Sequence, residues 1–134
     1  MNRLAGTLDS NVLLRLVIRN DEVQYQQAKQ LIKSADGQFA VPDIVFMEMA
    51  FVLSREYNLE RTEVMAGLQG VMSFRKINCN RVMLEKALAM YVMSPALSLE
   101  DCALAAYAEL NDATPLYTFD KKLAKSSPHA TLVA

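Results

Sequence analysis

The stretch that most restricts how this chain can fold is Thr7-Leu8-Asp9-Ser10-Asn11-Val12-Leu13-Leu14. Leu4 to Leu8 reads as a short strand. From Val12 the apolar residues Val12, Leu13, Leu16 and Val17 recur at helical spacing to about Arg19. A strand therefore runs directly into a helix, with Asp9 at the junction. In open parallel α/β sheets ligands bind beyond the carboxyl ends of the strands, so an acid placed there is presented to a site instead of being lost in the core.

The same grammar repeats along the chain. Asp21-Glu22 opens a second helix with Ala28, Leu31 and Ile32 as its predicted inner face, and Gly37 ends it. Gln38 to Val41 reads as a second strand, followed by Pro42 and a helix from Asp43 to about Tyr57. That helix is apolar all round except for Glu48, which predicts a buried helix. Thr62 to Met72 forms an amphipathic helix whose second half is weakened by Gly67 and Gly70. Phe74 to Asn78 reads as a third strand. Arg81 to Val92 reads as a helix with Val82, Leu84, Leu88 and Tyr91 inside, closed by Pro95. A further helix runs from Ser98 to about Leu110. Pro115 to Phe119 forms a fourth strand ending at Asp120, Lys121 to Lys125 a short helical turn, and Thr131 to Val133 a last edge strand. Strands separated repeatedly by helices predict an α/β fold with a largely parallel central sheet.

At 134 residues the chain fits a single domain spanning 1–134, long enough to bury a substantial core. Its formal net charge of -1 lacks the basic excess of a protein that binds nucleic acid by charge alone. A nucleic-acid substrate would need another source of positive charge, such as a bound divalent cation. Cys79 and Cys102 lack paired metal-ligand spacing and read as buried free thiols in a reducing compartment. The start, Met1 to Gly6, reaches Asp9 before a secretory apolar core could form, and no apolar run approaches the ~20 residues of a membrane span. A cytoplasmic protein is expected.

Taken singly, most of the acids have a local explanation. Asp9 and Asp120 each precede a helix and can serve as N-caps. Ser98-Leu99-Glu100-Asp101 fits a capping box. Glu48 differs, because a carboxylate inside the most apolar helix must be paired, protonated or bound to a metal unless its face is exposed. Taken together, two acids at strand ends, one in a predicted buried helix and one in a first helical turn can be brought to one edge of a parallel sheet. Four carboxylates in contact repel, so such a cluster makes sense chiefly around a hard cation, and oxygen-only ligation favours Mg²⁺ or Mn²⁺.

The segments Leu8-Asp9-Ser10-Asn11-Val12-Leu13-Leu14-Arg15, Glu48 within its apolar helix, Asp101-Cys102-Ala103-Leu104-Ala105 and Tyr117-Thr118-Phe119-Asp120 resemble the motifs of PIN-domain ribonucleases, most closely the small toxins of the VapBC type. The resemblance covers nearly the whole chain, in order. It implies a three-layer α/β/α sandwich with a mainly parallel central sheet and a Mg²⁺- or Mn²⁺-dependent endoribonuclease. It assigns Asp9, Glu48, Asp101 and Asp120 to the acidic, metal-binding quartet, Thr118 to a hydroxyl position that steadies the site, and Asn11 to a polar supporting position. Glu100 is an additional acid beside Asp101, and Ser10 stands where the family often has Thr. The resemblance also implies an RNA substrate, a small antitoxin partner and a homodimer.

In such an enzyme the ion acidifies water and no side-chain nucleophile is needed, consistent with the only histidine, His129, reading as a loop residue beside Pro128. Arg15, Arg19, Lys121, Lys122 and Lys125 are candidate contacts to the RNA backbone, or simply a solvated face. Tyr117 and Phe119 are read as core packing with base stacking as the alternative. Two other readings compete. One is a different Mg²⁺-dependent phosphoryl-transfer enzyme, against which Asn11 stands where a haloacid-dehalogenase-type phosphatase has its second acid, and no acidic pair precedes the first helix as in a receiver. The other is a non-catalytic interaction module of the same fold, against which all four acids are present.

Overall fold

The computed structural model describes residues 4–134; Met1–Arg3 lie outside the described residues. The chain divides into two compact units, the first ending at Asn80 and the second running Arg81–Ala134.

The first unit comprises β1 (Leu4–Thr7), α1 (Ser10–Val17), α2 (Glu22–Ser34), β2 (Gln38–Ala40), α3 (Asp43–Arg55), α4 (Arg61–Met72) and β3 (Ile77–Asn78). Its sheet has the order β1-β2-β3, with both pairings parallel and Thr7 opposite Ala40, itself opposite Asn78. The ladder continues one residue past the strands, because Leu8 N donates to Ala40 O at 3.1 Å and Val41 N to Asn78 O at 2.9 Å. Asp9 and Pro42-Asp43 therefore leave the sheet at the same carboxyl edge. The register slips between Leu4 and Gly6, and Gly6 takes a φ of +155°, a conformation that side-chain-bearing residues avoid.

Burial follows helical spacing. Leu13 and Leu14 of α1, Phe46, Met49, Ala50 and Leu53 of α3, and Val64, Leu68 and Val71 of α4 are all buried. Each fully buried leucine contributes on the order of 1.5–3 kcal/mol. Gly67, expected to weaken α4, instead permits its packing: a Cβ there would stand 3.0 Å from Val17 Cγ1 of α1. The C-terminus of α2 is closed from a distance. Lys76 Nζ donates to Ile32 O, Lys33 O and Ala35 O at 3.0, 2.8 and 2.6 Å, placing a cation on the helix's free carbonyls.

The second unit comprises α5 (Arg81–Met93), α6 (Leu99–Leu110), β4 (Leu116–Thr118), α7 (Lys121–Ser126) and β5 (Ala130–Leu132). Helices α5 and α6 pack on each other, burying Leu84, Ala87, Leu88 and Tyr91 from one and Cys102, Ala105, Ala106 and Ala108 from the other. β4 and β5 pair in parallel, Leu116 opposite Ala130 and Thr118 opposite Leu132.

Parallel pairing throughout agrees with the α/β expectation, although the strands form a three-stranded and a two-stranded sheet instead of one. Outside the candidate site, three burial expectations are corrected. Val82 and Leu31, assigned to inner faces, are exposed, since Met83, Leu84, Ala87 and Leu88 make the buried face of α5 and only Ala28 is buried in α2. Cys102 is buried and Cys79 only half-buried; both are free thiols. Among the described residues no helix is long and apolar enough to cross a membrane.

Candidate functional site

In the first unit Asp9 is the N-cap of α1. Its backbone is extended (φ -91°, ψ 174°), and Oδ1 accepts from Val12 N at 3.1 Å. Buried Leu8 before it and buried Ser10 after it anchor the junction, while the Asp9 side chain stays exposed. The cap occupies one carboxylate oxygen and orients the group; Oδ2 takes no part in that bond. Asn11, exposed in the first turn of α1, shares a surface groove with Asp9. Asp43, the first residue of α3, follows the neighbouring strand, and desolvation raises its carboxyl above the ordinary range.

Glu48 corrects the strongest sequence expectation. It is exposed, not buried. The buried stripe of α3 runs through Phe46, Met49, Ala50 and Leu53, whereas Ile44, Glu48 and Phe51 share the opposite face, with Ile44 73% and Phe51 58% exposed. The argument from a buried unpaired charge therefore lapses. What remains is a solvent-accessible carboxylate one residue short of a core position.

In the second unit Asp101 lies in the first turn of α6 and closes the expected capping box. Asp101 N donates to Ser98 Oγ at 3.1 Å, and Ser98 N donates to Asp101 Oδ2 at 3.2 Å. Glu100 beside it is exposed. Asp120 is the N-cap of α7, its Oδ1 accepting from Lys122 N at 2.8 Å and Leu123 N at 3.3 Å. Thr118 steadies this junction directly: its Oγ1 accepts from Asp120 N at 2.9 Å. The capping explanation thus holds for Asp9, Asp101 and Asp120 alike, and in each the cap uses one carboxylate oxygen.

Among the described residues no group of three or more His, Cys, Asp or Glu side chains is arranged to hold a metal ion. Taken one at a time, each capped carboxylate keeps an oxygen outside its cap and Glu48 is open to solvent, so each is an oxygen donor of the kind a hard divalent cation takes.

The cationic candidates separate. Arg19 is engaged by Glu22, with Nε and Nη2 at 2.9 and 2.8 Å from its two oxygens, and it lies 3.9 Å from the Tyr25 ring centre. This pairing raises the Arg19 pKa and holds the Glu22 carboxyl down at about 2. Arg15 donates one bond, to Asn20 Oδ1 at 3.0 Å. Lys121, Lys122 and Lys125 are exposed around α7. Tyr117 and Phe119, expected in the core, are 66% and 76% exposed. His129 is an exposed residue just before β5, its Nε2 3.9 Å from Glu109 Oε2, which agrees with a loop position.

Sequence reasoning missed one feature. A groove of about 320 Å³ opens between α1 and α2 beside Asp9. Its signal was the spacing of Gln24, Gln27, Ala28 and Leu31, one stripe of α2 on which two amides lead into two apolar residues.

Residues 7–127 match the PIN domain family, and the chain belongs to that family. PIN domains are generally nucleases, and PIN nucleases are generally dependent on divalent metal ions. Among solved structures the chain is similar to a toxin–antitoxin complex from Klebsiella pneumoniae, at 22% identity over 95% of this chain and 96% of that one, with a TM-score of 0.36. It is also similar to VapBC2 from Rickettsia felis bound to a DNA fragment from their promoter, at 18% identity over 95% and 96%, with a TM-score of 0.40. No curated protein matches the chain.

Proposed function

We propose that the chain acts as one PIN domain, a Mg²⁺- or Mn²⁺-dependent endoribonuclease, and that it is the VapC-type toxin of a toxin–antitoxin pair. The observation that carries this reading is that the family match spans all four motif acids, Asp9, Glu48, Asp101 and Asp120. The supporting geometry is the cap at Asp9, Asp101 and Asp120, which fixes each carboxylate before any ion arrives. Preorganisation of this kind matters because mobile ligands would have to be ordered on binding.

These four acids would hold the ion, which supplies an acidified water and positive charge beside the scissile phosphate. The protein's own groups do the rest. Thr118 holds the backbone of Asp120 and hence the direction of its carboxylate. Asn11 stands beside Asp9 as its polar neighbour. Arg15, Lys121 and Lys122 offer cations to the RNA backbone, which a protein of net charge -1 needs locally. Water attack on phosphorus with departure of the 3′-oxygen leaves 5′-phosphate and 3′-hydroxyl ends. A small antitoxin and a homodimer belong to this reading and rest on the motif resemblance; a cytoplasmic location belongs to it as well.

The test is cleavage of a mixed structured-RNA pool by purified protein with Mn²⁺, with EDTA, and by Asp9→Asn with Mn²⁺. Cleavage by the wild type, and only with metal, is the expected outcome, with the variant melting at about the wild-type temperature because Asn caps a helix about as well as Asp. Cleavage that persists in EDTA or in the variant would overturn the proposed chemistry. Failure of Mn²⁺ to bind in calorimetry would move the assignment to a non-catalytic interaction module.

A further inference from the structure

The groove between α1 and α2 has a composition that neither folding nor metal binding requires. Helices α1 and α2 pack against each other and are joined by the short connection Ile18–Asp21. Val12 from one helix and Ala28 and Leu31 from the other give the groove an apolar floor. Around that floor stand Asn11, Gln24 and Gln27, exposed amides, and half-buried Arg15. Asp9 lines the same groove.

We infer that this groove holds one nucleotide of the RNA next to the scissile phosphate, its base against the apolar floor and its edge read by Gln24 and Gln27. The inference rests on the nuclease reading for the identity of the chain's substrate. Each part of a nucleotide finds a matching group. A base has two apolar faces and a polar rim, and the groove has the same pattern in reverse. A glutamine amide carries a donor and an acceptor side by side, the arrangement that pairs bidentately with a base edge. Arg15 spends one guanidinium N–H on Asn20 and has others for a phosphate oxygen. At about 320 Å³ the groove lies at the small end of ligand sites.

The spacing explains why these residues act together. Gln24, Gln27, Ala28 and Leu31 lie at i, i+3, i+4 and i+7, one face of α2. Gln24 and Gln27 are exposed, so replacing them leaves the core intact. Their role is to choose which RNA is cut, not to cut it.

The experiment is a titration of ¹⁵N-labelled protein with each of the four ribonucleoside 5′-monophosphates in metal-free buffer, followed through the glutamine side-chain amide signals. At least one nucleotide is expected to shift Gln24 and Gln27. The double variant Gln24→Ala/Gln27→Ala is expected to bind that nucleotide about tenfold or more weakly, the scale of losing paired contacts to a base edge, at unchanged melting temperature. No shift at millimolar nucleotide, or equal affinity in the double variant, would overturn the inference. Run beside the cleavage assay, the two readings fail separately. Metal-dependent cleavage without nucleotide shifts removes the groove and keeps the nuclease. Nucleotide shifts without cleavage keep the groove as a nucleotide site and remove the nuclease, and with it the placement beside a scissile phosphate.

Discussion

The β1–α1 junction at Asp9 and the β4–α7 junction at Asp120 are built on the same plan, a parallel strand, an aspartate and a helix, yet they are held in different ways. Asp9 accepts one backbone N–H, and its helix is secured by tertiary packing, with Leu13 and Leu14 buried and Val17 against Gly67 of α4. Asp120 accepts two backbone N–H groups and has its own N–H taken by Thr118, while short α7 buries only Leu123 of its apolar residues. One acid is positioned by a core and the other by local hydrogen bonds. The difference shows that an oriented carboxylate can be obtained by either route, and that the two should respond differently to mutation.

The largest expected effect tests what the junctions share. Asp9→Asn and Asp120→Asn both keep a side-chain cap, because Asn caps helices about as well as Asp. Each is expected to lower metal-dependent cleavage by more than the roughly 100-fold that loss of a group behind a metal ligand costs, with little change in melting. Near-normal cleavage by either variant would show that the pair are caps and nothing more.

The next effect breaks the first junction through its packing. Gly67→Val places branched methyls where a Cβ alone already meets Val17, and overpacking of this kind costs about 1–3 kcal/mol. Urea unfolding is the measurement, and Gly70→Val is the control, since a Cβ there meets nothing within 4 Å. Equal losses at the two positions would mean that helix propensity, not the α1–α4 contact, sets the cost.

Removing the caps sharpens the contrast. Asp9→Ala is expected to cost about 1 kcal/mol in global unfolding, because α1 cannot fray without exposing Leu13 and Leu14. Thr118→Val and Asp120→Ala should instead be felt locally, as faster hydrogen exchange at Lys122 and Leu123, with a smaller shift in the global midpoint. Unchanged exchange at those amides would refute the local account of the second junction.

The smallest effect belongs to the exposed Arg19–Glu22 pair at the turn after α1. The Arg19 guanidinium, then the Gln26 amide, hold the Glu22 carboxyl at about 2 against an ordinary 4.5. A depressed carboxylate stabilises the fold above its unfolded pKa, and that contribution fades as pH falls from 4.5 towards 2. Glu22→Gln should flatten this part of the stability profile by very little, since exposed pairs are screened. A carboxyl NMR titration of Glu22 with its midpoint near 4.5 would show that the pair does not persist in solution.

Element positions were legible because they depend on neighbours in sequence. Every strand and helix expected from periodicity is present, with ends moved by a few residues, and the Ser98–Asp101 capping box forms as its spacing demands. The caps of Asp9 and Asp120 were equally local. Glu48 was misread for a physical reason: Ile44 and Phe51 on its face are apolar, so composition hid the amphipathic character of α3 and an exposed face looked like a core one. Val82 and Leu31 failed in the same way, since an apolar residue is buried only if some other segment covers it.

The sequence by itself determined the order of strands and helices, the aspartates at their junctions and the motif series that marks a PIN domain, because each is encoded within a few residues or in linear order. Only the tertiary structure decided which side of α3 is covered, that Gly67 serves α1 instead of breaking α4, that Lys76 closes α2 across more than forty residues of chain, and that α1 and α2 leave a groove beside Asp9. Those features depend on which distant segments meet, and burial is a property of the covering surface as much as of the residue covered.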